Sequence, residues 1–507
     1  MSAQIENQSS ARREMHPGSL QKVGTSSFLG SGVVYASTMA AQRAVTFLLL
    51  PIFTRVLAPA AYGRLSIALS ANAVAVVVFA FGMELAIFRN VVHLADDPPA
   101  RSRFIRSTWT FLLVGPFVTA VIVTALMTPF LWSSPIVSIS EMGLSMLAAA
   151  LYVGATTLPL ALLRADRRLR DFVVVNGVAT VATAGLTVVF VVVLRAGETG
   201  WLVALNLGSA ATLFTAMVVV PYRRPEPFDR AIVSDTLRRS LPVMPHFLAL
   251  WSLQLADRVL LAALVATSAV GIYSLASSMA LPLLVLTTGI NQAFMPVYAR
   301  AGKSSTIASL RSLIEIQVAI VAILSLTCAL LAPVAINLFM DTRYRPAAQL
   351  TSWIVLGYAF IGLYSIPMNG VTLAHGRSRR IWIVSIPAAV VNLGLIYVFV
   401  PRSGLMAAAI ASAAGYGALL AGVWLYSRRT GSTLSYPWRT IGALVTASGL
   451  AYTGAVLTAN ATHPIDLALR SVWIAMTAAI LLMIVKRDWL RRVRNGANWR
   501  GLRYEDT

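Results

Sequence analysis

The sequence predicts an all-α, polytopic membrane protein with about fourteen transmembrane helices. Three observations predict it. Hydrophobic residues make up 57% of the 507 and charged residues only 12%, about half the charged share of an ordinary soluble chain, and the mean hydropathy is +0.74. The apolar segments run unbroken for ~20 residues, the length at which a helix crosses a bilayer, whereas barrel strands would alternate polar and apolar positions. The links between the segments alternate regularly between basic and non-basic.

Residues 1–27 come first. They are polar, carry Glu6, Arg12, Arg13, Glu14 and Lys22, and have no apolar core of the kind a signal peptide needs. Six apolar segments follow at 28–50, 65–88, 108–128, 142–163, 172–194 and 201–220. The stretch from Pro221 to Leu241, rich in Pro, Arg and acids, reads as a linker. Six more segments lie at 242–264, 270–295, 312–340, 349–372, 381–400 and 404–426, and two last ones at 440–458 and 466–485. The chain ends in a basic run from Lys486.

Of the 41 Lys and Arg residues, 32 fall on one side of this arrangement and seven on the other. The seven are Arg55, Arg64, Arg195, Arg343, Arg345, Arg402 and Arg470. Cytoplasmic loops carry the excess of Lys and Arg, so both termini are expected in the cytoplasm. The formal net charge of +22 is then a topology signal and an attraction to anionic lipid headgroups, not a nucleic-acid site.

A repeat appears at an offset of 208 residues. Ala61-Tyr62-Gly63-Arg64-Leu65-Ser66 corresponds to Val270-Gly271-Ile272-Tyr273-Ser274, and Leu158-Pro159 to Ile366-Pro367. Both halves end alike, in Tyr222-Arg223-Arg224 and Tyr426-Ser427-Arg428-Arg429. Six spans is an even number, so the copies run in the same sense and a pseudo-two-fold axis stands along the membrane normal. The expected organisation is a cytoplasmic segment at 1–27, an N-lobe at 28–224, a cytoplasmic linker at 225–241 and a C-lobe at 242–429, then two extra spans within 430–485 and a basic cytoplasmic tail at 486–507.

No catalytic motif, Walker loop or metal-ligand spacing is present, so no cofactor or metal is expected. The single cysteine, Cys328, lies in an apolar run and reads as a small core residue. The five histidines are scattered, and only His246, just inside the seventh span, is a weak candidate for a proton-linked role. Asparagines within the spans read as interhelical hydrogen-bonding groups. Glu84 and Glu315 lie near span ends, where snorkelling or pairing with Arg89 or Arg311 accounts for them. Arg43 and Arg258 differ: they are the only basic residues deep in spans, and each falls in the opening span of a half. Gln42-Arg43-Ala44-Val45 can be laid on Asp257-Arg258-Val259-Leu260 with a seven-residue gap before the glycine match. The plain alternative is a buried Arg–Asp pair that only holds helices together. Arginines at a repeat interface can equally hold an anionic ligand. The candidate substrate-binding residues are therefore Arg43, Arg258, Asp257, Gln42 and Gln254, with Asp257 orienting an arginine.

Four stretches carry a family resemblance: PIFTRVLAPAAYGRLSIALS, ADRVLLAALVATSAVGIYSLASSM, NQAFMPVYAR and VNLGLIYVFVPRSGLMAAAIASAAGYG. With them the chain resembles the bacterial O-antigen and exopolysaccharide lipid-carrier flippases (Wzx-type) of the multidrug/oligosaccharidyl-lipid/polysaccharide exporter superfamily. The resemblance implies two six-helix lobes around a central cavity that opens alternately to either side. It implies a bacterial inner-membrane location and secondary transport, without ATP, of an undecaprenyl-diphosphate-linked oligosaccharide. Anionic membrane lipids and the polysaccharide polymerase or export machinery are the implied partners. Two other functions compete. A multidrug or small-cation antiporter of the same superfamily predicts buried acids along the cavity, yet Asp257 is the only acid deep in a span and adjoins an arginine. A membrane-embedded glycan polymerase or ligase predicts a large outer loop, and the longest outer links here are only about a dozen residues.

Overall fold

Helix ends are written into the sequence and the structure uses them. In the computed structural model, which describes residues 25–132, 136–220, 227–301, 307–374 and 382–429 and the single positions 472 and 479, each of the first twelve expected spans is helical. No strand occurs among the described residues. The N-terminal segment before residue 25, the basic tail and, apart from those two positions, the expected spans at 440–458 and 466–485 lie outside the described residues.

Helix α1 runs Thr25–Val56. A two-residue link leads to α2, Pro59–Phe79, whose proline stands where a helix start needs no N–H. The chain breaks at Phe81 and Gly82, both with positive φ, and resumes as α3, Glu84–His93. Helix α4, Pro98–Leu131, starts under Asp97, whose carboxylate accepts the Ala100 N–H at 3.0 Å. Helix α5, Ile139–Ala165, opens with a reciprocal capping box: Glu141 N–H donates to Ser138 Oγ at 3.2 Å, and Ser138 N–H donates to Glu141 Oε2 at 2.8 Å. Then come α6, Leu169–Thr187, continued by a π-turn at Val188–Val193, and α7, Gly197–Val219. The linker holds a short amphipathic helix, α8, Arg230–Ser240.

The seventh span is interrupted. Helix α9, Met244–Trp251, passes through a π-turn at Ser252–Ala256 into α10, Asp257–Leu264. Helix α11, Thr267–Ala301, begins three residues before the span limit expected from hydropathy. Helices α12, Ile307–Phe339, and α13, Ala347–Asn369, follow, the latter running into a π-turn at Gly370–Ala374. The eleventh and twelfth spans form one continuous element, α14, Trp382–Arg429, folded at Gly404 with φ 65° and ψ −156°, a conformation open to glycine. Ten of the described helices, α14 counted once, are long and apolar enough to cross a membrane.

Two apolar clusters form the core. One gathers side chains of α2 to α6 such as Phe79, Ile87, Trp109, Leu112 and Leu158. The other joins the end of α1, the start of α2 and the start of α7 to α10 to α14. Small residues let the helices approach, as packing within a bilayer requires. On α5 the run Ala148-Ala149-Ala150 is wholly buried, and the Gly154 carbonyl accepts the Trp109 indole N–H at 3.1 Å.

The closest approach lies between α2 and α11. A Cβ added at Gly63 would fall 1.9 Å from the Thr267 carbonyl oxygen, and one at Gly271 would fall 2.0 Å from the Pro59 carbonyl oxygen. Both pairs are related by the 208-residue offset, so the repeat meets itself across this crossing. The glycine match seen in the sequence therefore has a physical cause: two helix starts touch backbone to backbone, and no side chain fits between them.

Candidate functional site

Arg43 and Arg258 occupy opposite environments. Arg43 projects from α1 and is exposed, with Gln42 half-buried beside it. Its charge acts on Tyr152 of α5 and on Tyr358 of α13, so it stands within electrostatic reach of helices from both halves of the chain. Arg258, at the start of α10, is 7% exposed and neighbouring Asp257 is 3% exposed.

The π-turn before Asp257 sets the geometry of this second site. A π-turn disrupts the regular i to i−4 ladder and leaves backbone groups to find other partners. Arg258 Nη1 donates to the Gln254 carbonyl at 2.6 Å and to Asp257 Oδ1 at 2.9 Å. The Arg258 amide also donates to Asp257 Oδ1, at 2.8 Å. The other carboxylate oxygen, Oδ2, accepts the Tyr273 hydroxyl at 2.6 Å. The single Tyr273 proton is thereby used, so Ser412 donates to the Tyr273 oxygen, at 2.8 Å. Asp257 thus clasps Arg258 and ties α10 to α11 and α14. The contribution of Gln254 is its carbonyl; its side chain is in neither of these contacts.

Sequence reasoning missed the aromatic residues around this pair. Arg258 Cζ stands 5.9 Å from the Tyr273 ring centroid. Its charge also acts on Tyr62, Tyr358 and Tyr416, all buried. The Tyr358 and Tyr416 rings meet edge to face at 5.9 Å. The Tyr273 ring stands within cation–π distance of the guanidinium, and all four tyrosines are buried with it. Buried tyrosines in apolar spans were the only available signal, and a sequence does not reveal that four helices aim them at one point.

The arginines lie at different helical distances from the α2–α11 crossing. Arg43 lies 16 residues before Pro59 and Arg258 nine before Thr267, positions level with each other at the α2–α11 crossing. The seven-residue difference corresponds to about 10 Å along the helix axes.

Further polar contacts join the helices elsewhere. Asn291 Oδ1 accepts from Asn369 Nδ2 at 2.7 Å, and Gln317 receives the Tyr298 hydroxyl at 2.9 Å, joining α11, α12 and α13. Glu315, expected to snorkel or to pair with Arg311, is buried at 2% and does not snorkel. Glu84 is exposed as expected, but its partner is Arg164, at 3.0 Å, across to α5. At the end where α1 meets α2, the Tyr344 hydroxyl donates to the Leu57 carbonyl at 3.0 Å, and Tyr344 packs edge-on against Tyr62 at 6.0 Å. Arg343 donates to the Arg55 carbonyl at 3.3 Å while Asp341 holds it at 2.7 Å. Asp341 in turn is kept below the usual carboxylate range by hydrogen bonds from the Arg343 side chain and amide. His246 bonds Ser385 at 3.1 Å, which gives it a structural partner.

The fold is shared with known transporters. The structure titled lipid II flippase MurJ, inward closed conformation, superposes with a TM-score of 0.71 at 12% identity, covering 90% of this chain and 100% of that one. An outward-facing multidrug resistance MATE family transporter of the MOP superfamily gives 0.54 at 18% identity, covering 82% and 96%. A MOP superfamily transporter from Pyrococcus furiosus, whose title describes a reversed polarity of the binding pocket, gives 0.55 at 17% identity with the same coverage. No curated protein matches the sequence. The model of the polysaccharide biosynthesis protein family matches residues 29–302, more than half of the chain. An all-helical, multi-pass membrane protein with this fold and this match belongs to the polysaccharide biosynthesis protein family.

Proposed function

We propose that the protein is a secondary transporter that flips an undecaprenyl-diphosphate-linked oligosaccharide across the bacterial cytoplasmic membrane for polysaccharide assembly. One observation carries the reading: of the two intramembrane arginines, Arg43 is exposed, while Arg258 is buried and held by the Asp257 carboxylate. A diphosphate carries about two negative charges, and a lone charge is expensive in a low-dielectric core. Two cations divide that barrier into steps. The exposed Arg43 receives the headgroup first, with Gln42 beside it. Arg258 follows, released by Asp257 as the headgroup replaces the carboxylate. The glycan stays in water between lobes 28–224 and 242–429, and the polyprenyl tail stays in lipid. Both termini are cytoplasmic, as the distribution of basic residues requires. The cation-exporter reading gains no support from Asp257, both of whose oxygens are taken by Arg258 and Tyr273.

Export of polymer by variants at matched abundance tests this. Arg43→Ala and Arg258→Ala are each expected to abolish export, and Arg43→Lys to retain part of it, since charge survives without the bidentate fork. In the Ala strains the lipid-linked oligosaccharide accumulates, and its composition names the substrate. Normal export by both Ala variants would overturn the mechanism.

A further inference from the structure

A basic groove with an apolar rim lies on the linker helix. A groove of about 550 Å³ opens along α8, within the range of small-molecule sites. Its apolar part is Phe228, Val233, Leu237 and Leu241. Its polar part is Arg230, Ser234 and Arg238, spaced four residues apart and therefore stacked on one helix face. All three polar residues are exposed.

Four features make this more than a solvated basic helix. The nearby carboxylates are already committed: Asp229 caps the helix by accepting the Ala231 N–H at 2.8 Å, and Asp235 holds Arg239 at 2.9 Å. Among the described residues neither Arg230 nor Arg238 has a carboxylate within ion-pair distance. Two large apolar side chains, Phe228 and Leu241, each 45% exposed, stand at the two ends of the groove. The helix is also tethered: Asp229 N–H donates to Ser107 Oγ at 2.8 Å, and Ile232 and Leu237 pack on the core of α2 to α6. Finally, α8 joins the ends of two apolar spans, Val219 and Met244, so the groove lies at the bilayer boundary on the basic side of the molecule.

We infer that this groove binds one anionic phospholipid of the bilayer leaflet it borders. Its phosphodiester lies between the Arg230 and Arg238 guanidinium groups, its headgroup hydroxyls reach Ser234, and its acyl chains cover Phe228 and Leu241. The chemistry is that of a phosphate with a hydrophobic tail: planar guanidinium groups fit the phosphate oxygens, and the apolar rim requires the tail. A bound lipid here fastens the linker to the membrane surface, independently of the transported substrate.

The test uses the full chain, purified in detergent and titrated with phosphatidylglycerol, phosphatidylcholine or free glycerol 3-phosphate, with bound molecules counted by native mass spectrometry. Each arginine near the surface is expected to contribute about fivefold in affinity, so Arg230→Gln with Arg238→Gln weakens the tightest phosphatidylglycerol by about 25-fold. Arg239→Gln, whose guanidinium is already paired, leaves that lipid in place. Phe228→Ala weakens phosphatidylglycerol and spares the weak binding of glycerol phosphate. Circular dichroism and elution volume check that each variant is folded, and these exposed positions leave the core intact. The inference is overturned if the double variant keeps the lipid at wild-type affinity, if Arg239→Gln removes it equally, or if phosphatidylcholine or glycerol phosphate binds as tightly.

Discussion

A methyl group at Gly63 or Gly271 tests whether the α2–α11 crossing closes one end of a transport path. Either Cβ would strike a backbone carbonyl, at 1.9 or 2.0 Å, and a backbone atom cannot swing aside like the end of a side chain. Ordinary contact begins at 3.4 Å, so the helix starts must separate by about 1.4–1.5 Å. Overpacking of this kind costs about 1–3 kcal/mol. In the alternating opening that the family resemblance implies, that cost falls on the state closed at this end and not on the state open there, which shifts the equilibrium by about 5- to 150-fold toward opening. Ser274→Cys provides the reporter, since Ser274 is small, buried at 2% and one turn along α11. With Cys328 replaced, a membrane-impermeant thiol reagent applied to cells should label this introduced thiol faster in Gly63→Ala and in Gly271→Ala than in the parent. The double variant should exceed either single variant by much less than the product, because one separation relieves both contacts. Unchanged labelling in both single variants, in folded protein at normal abundance, would refute the closing role of the crossing.

Other outcomes follow from the same contacts. Asp257→Asn leaves Arg258 buried without its carboxylate and should lower stability by about 3–5 kcal/mol, read as a fall in melting temperature in detergent. Adding Arg258→Gln should recover part of that loss, and failure to recover would mean that the pair is not the source. Tyr344→Phe removes one hydrogen bond to Leu57 and should raise labelling of the Ser274→Cys reporter about fivefold, matching the ~1 kcal/mol of a typical bond. The Asp341 carboxyl has a lowered pKa when folded, so its bond to Arg343 is fully present above the ordinary value near ~3.9 and is lost as pH falls through the lowered one. Labelling of the same reporter in proteoliposomes should therefore stay flat across the neutral range and rise only in strong acid, whereas a step near neutrality would assign the latch to another group.

The segmentation of the chain was readable from hydropathy because a bilayer demands long apolar helices with their backbone bonds satisfied internally. The repeat was readable as well. Gly63 and Gly271 matched in sequence, and both are the points where helix backbones meet. The turn between the eleventh and twelfth spans was recognisable from Pro401 and Gly404, although the structure makes it a fold within one element. The environments of the two arginines were hidden. Both sit in apolar runs of similar composition, yet one is exposed and the other clasped, because a π-turn precedes only Asp257 and alters which face follows it. The burial of Glu315 was not legible from its place near a span end, because nearness to an end does not say whether neighbouring helices cover the residue.

The π-turn in the seventh span has a thermodynamic consequence. The Gln254 carbonyl is served by the Arg258 side chain, and the Arg258 amide is served by the Asp257 side chain. Regular α-helix would join that carbonyl to that amide directly. Drawing the guanidinium away takes one donor from a part-buried carbonyl and one from the carboxylate beside it. A ligand that engages Arg258 therefore binds more weakly by the worth of those bonds, and its binding loosens the contacts around the π-turn by the same free energy.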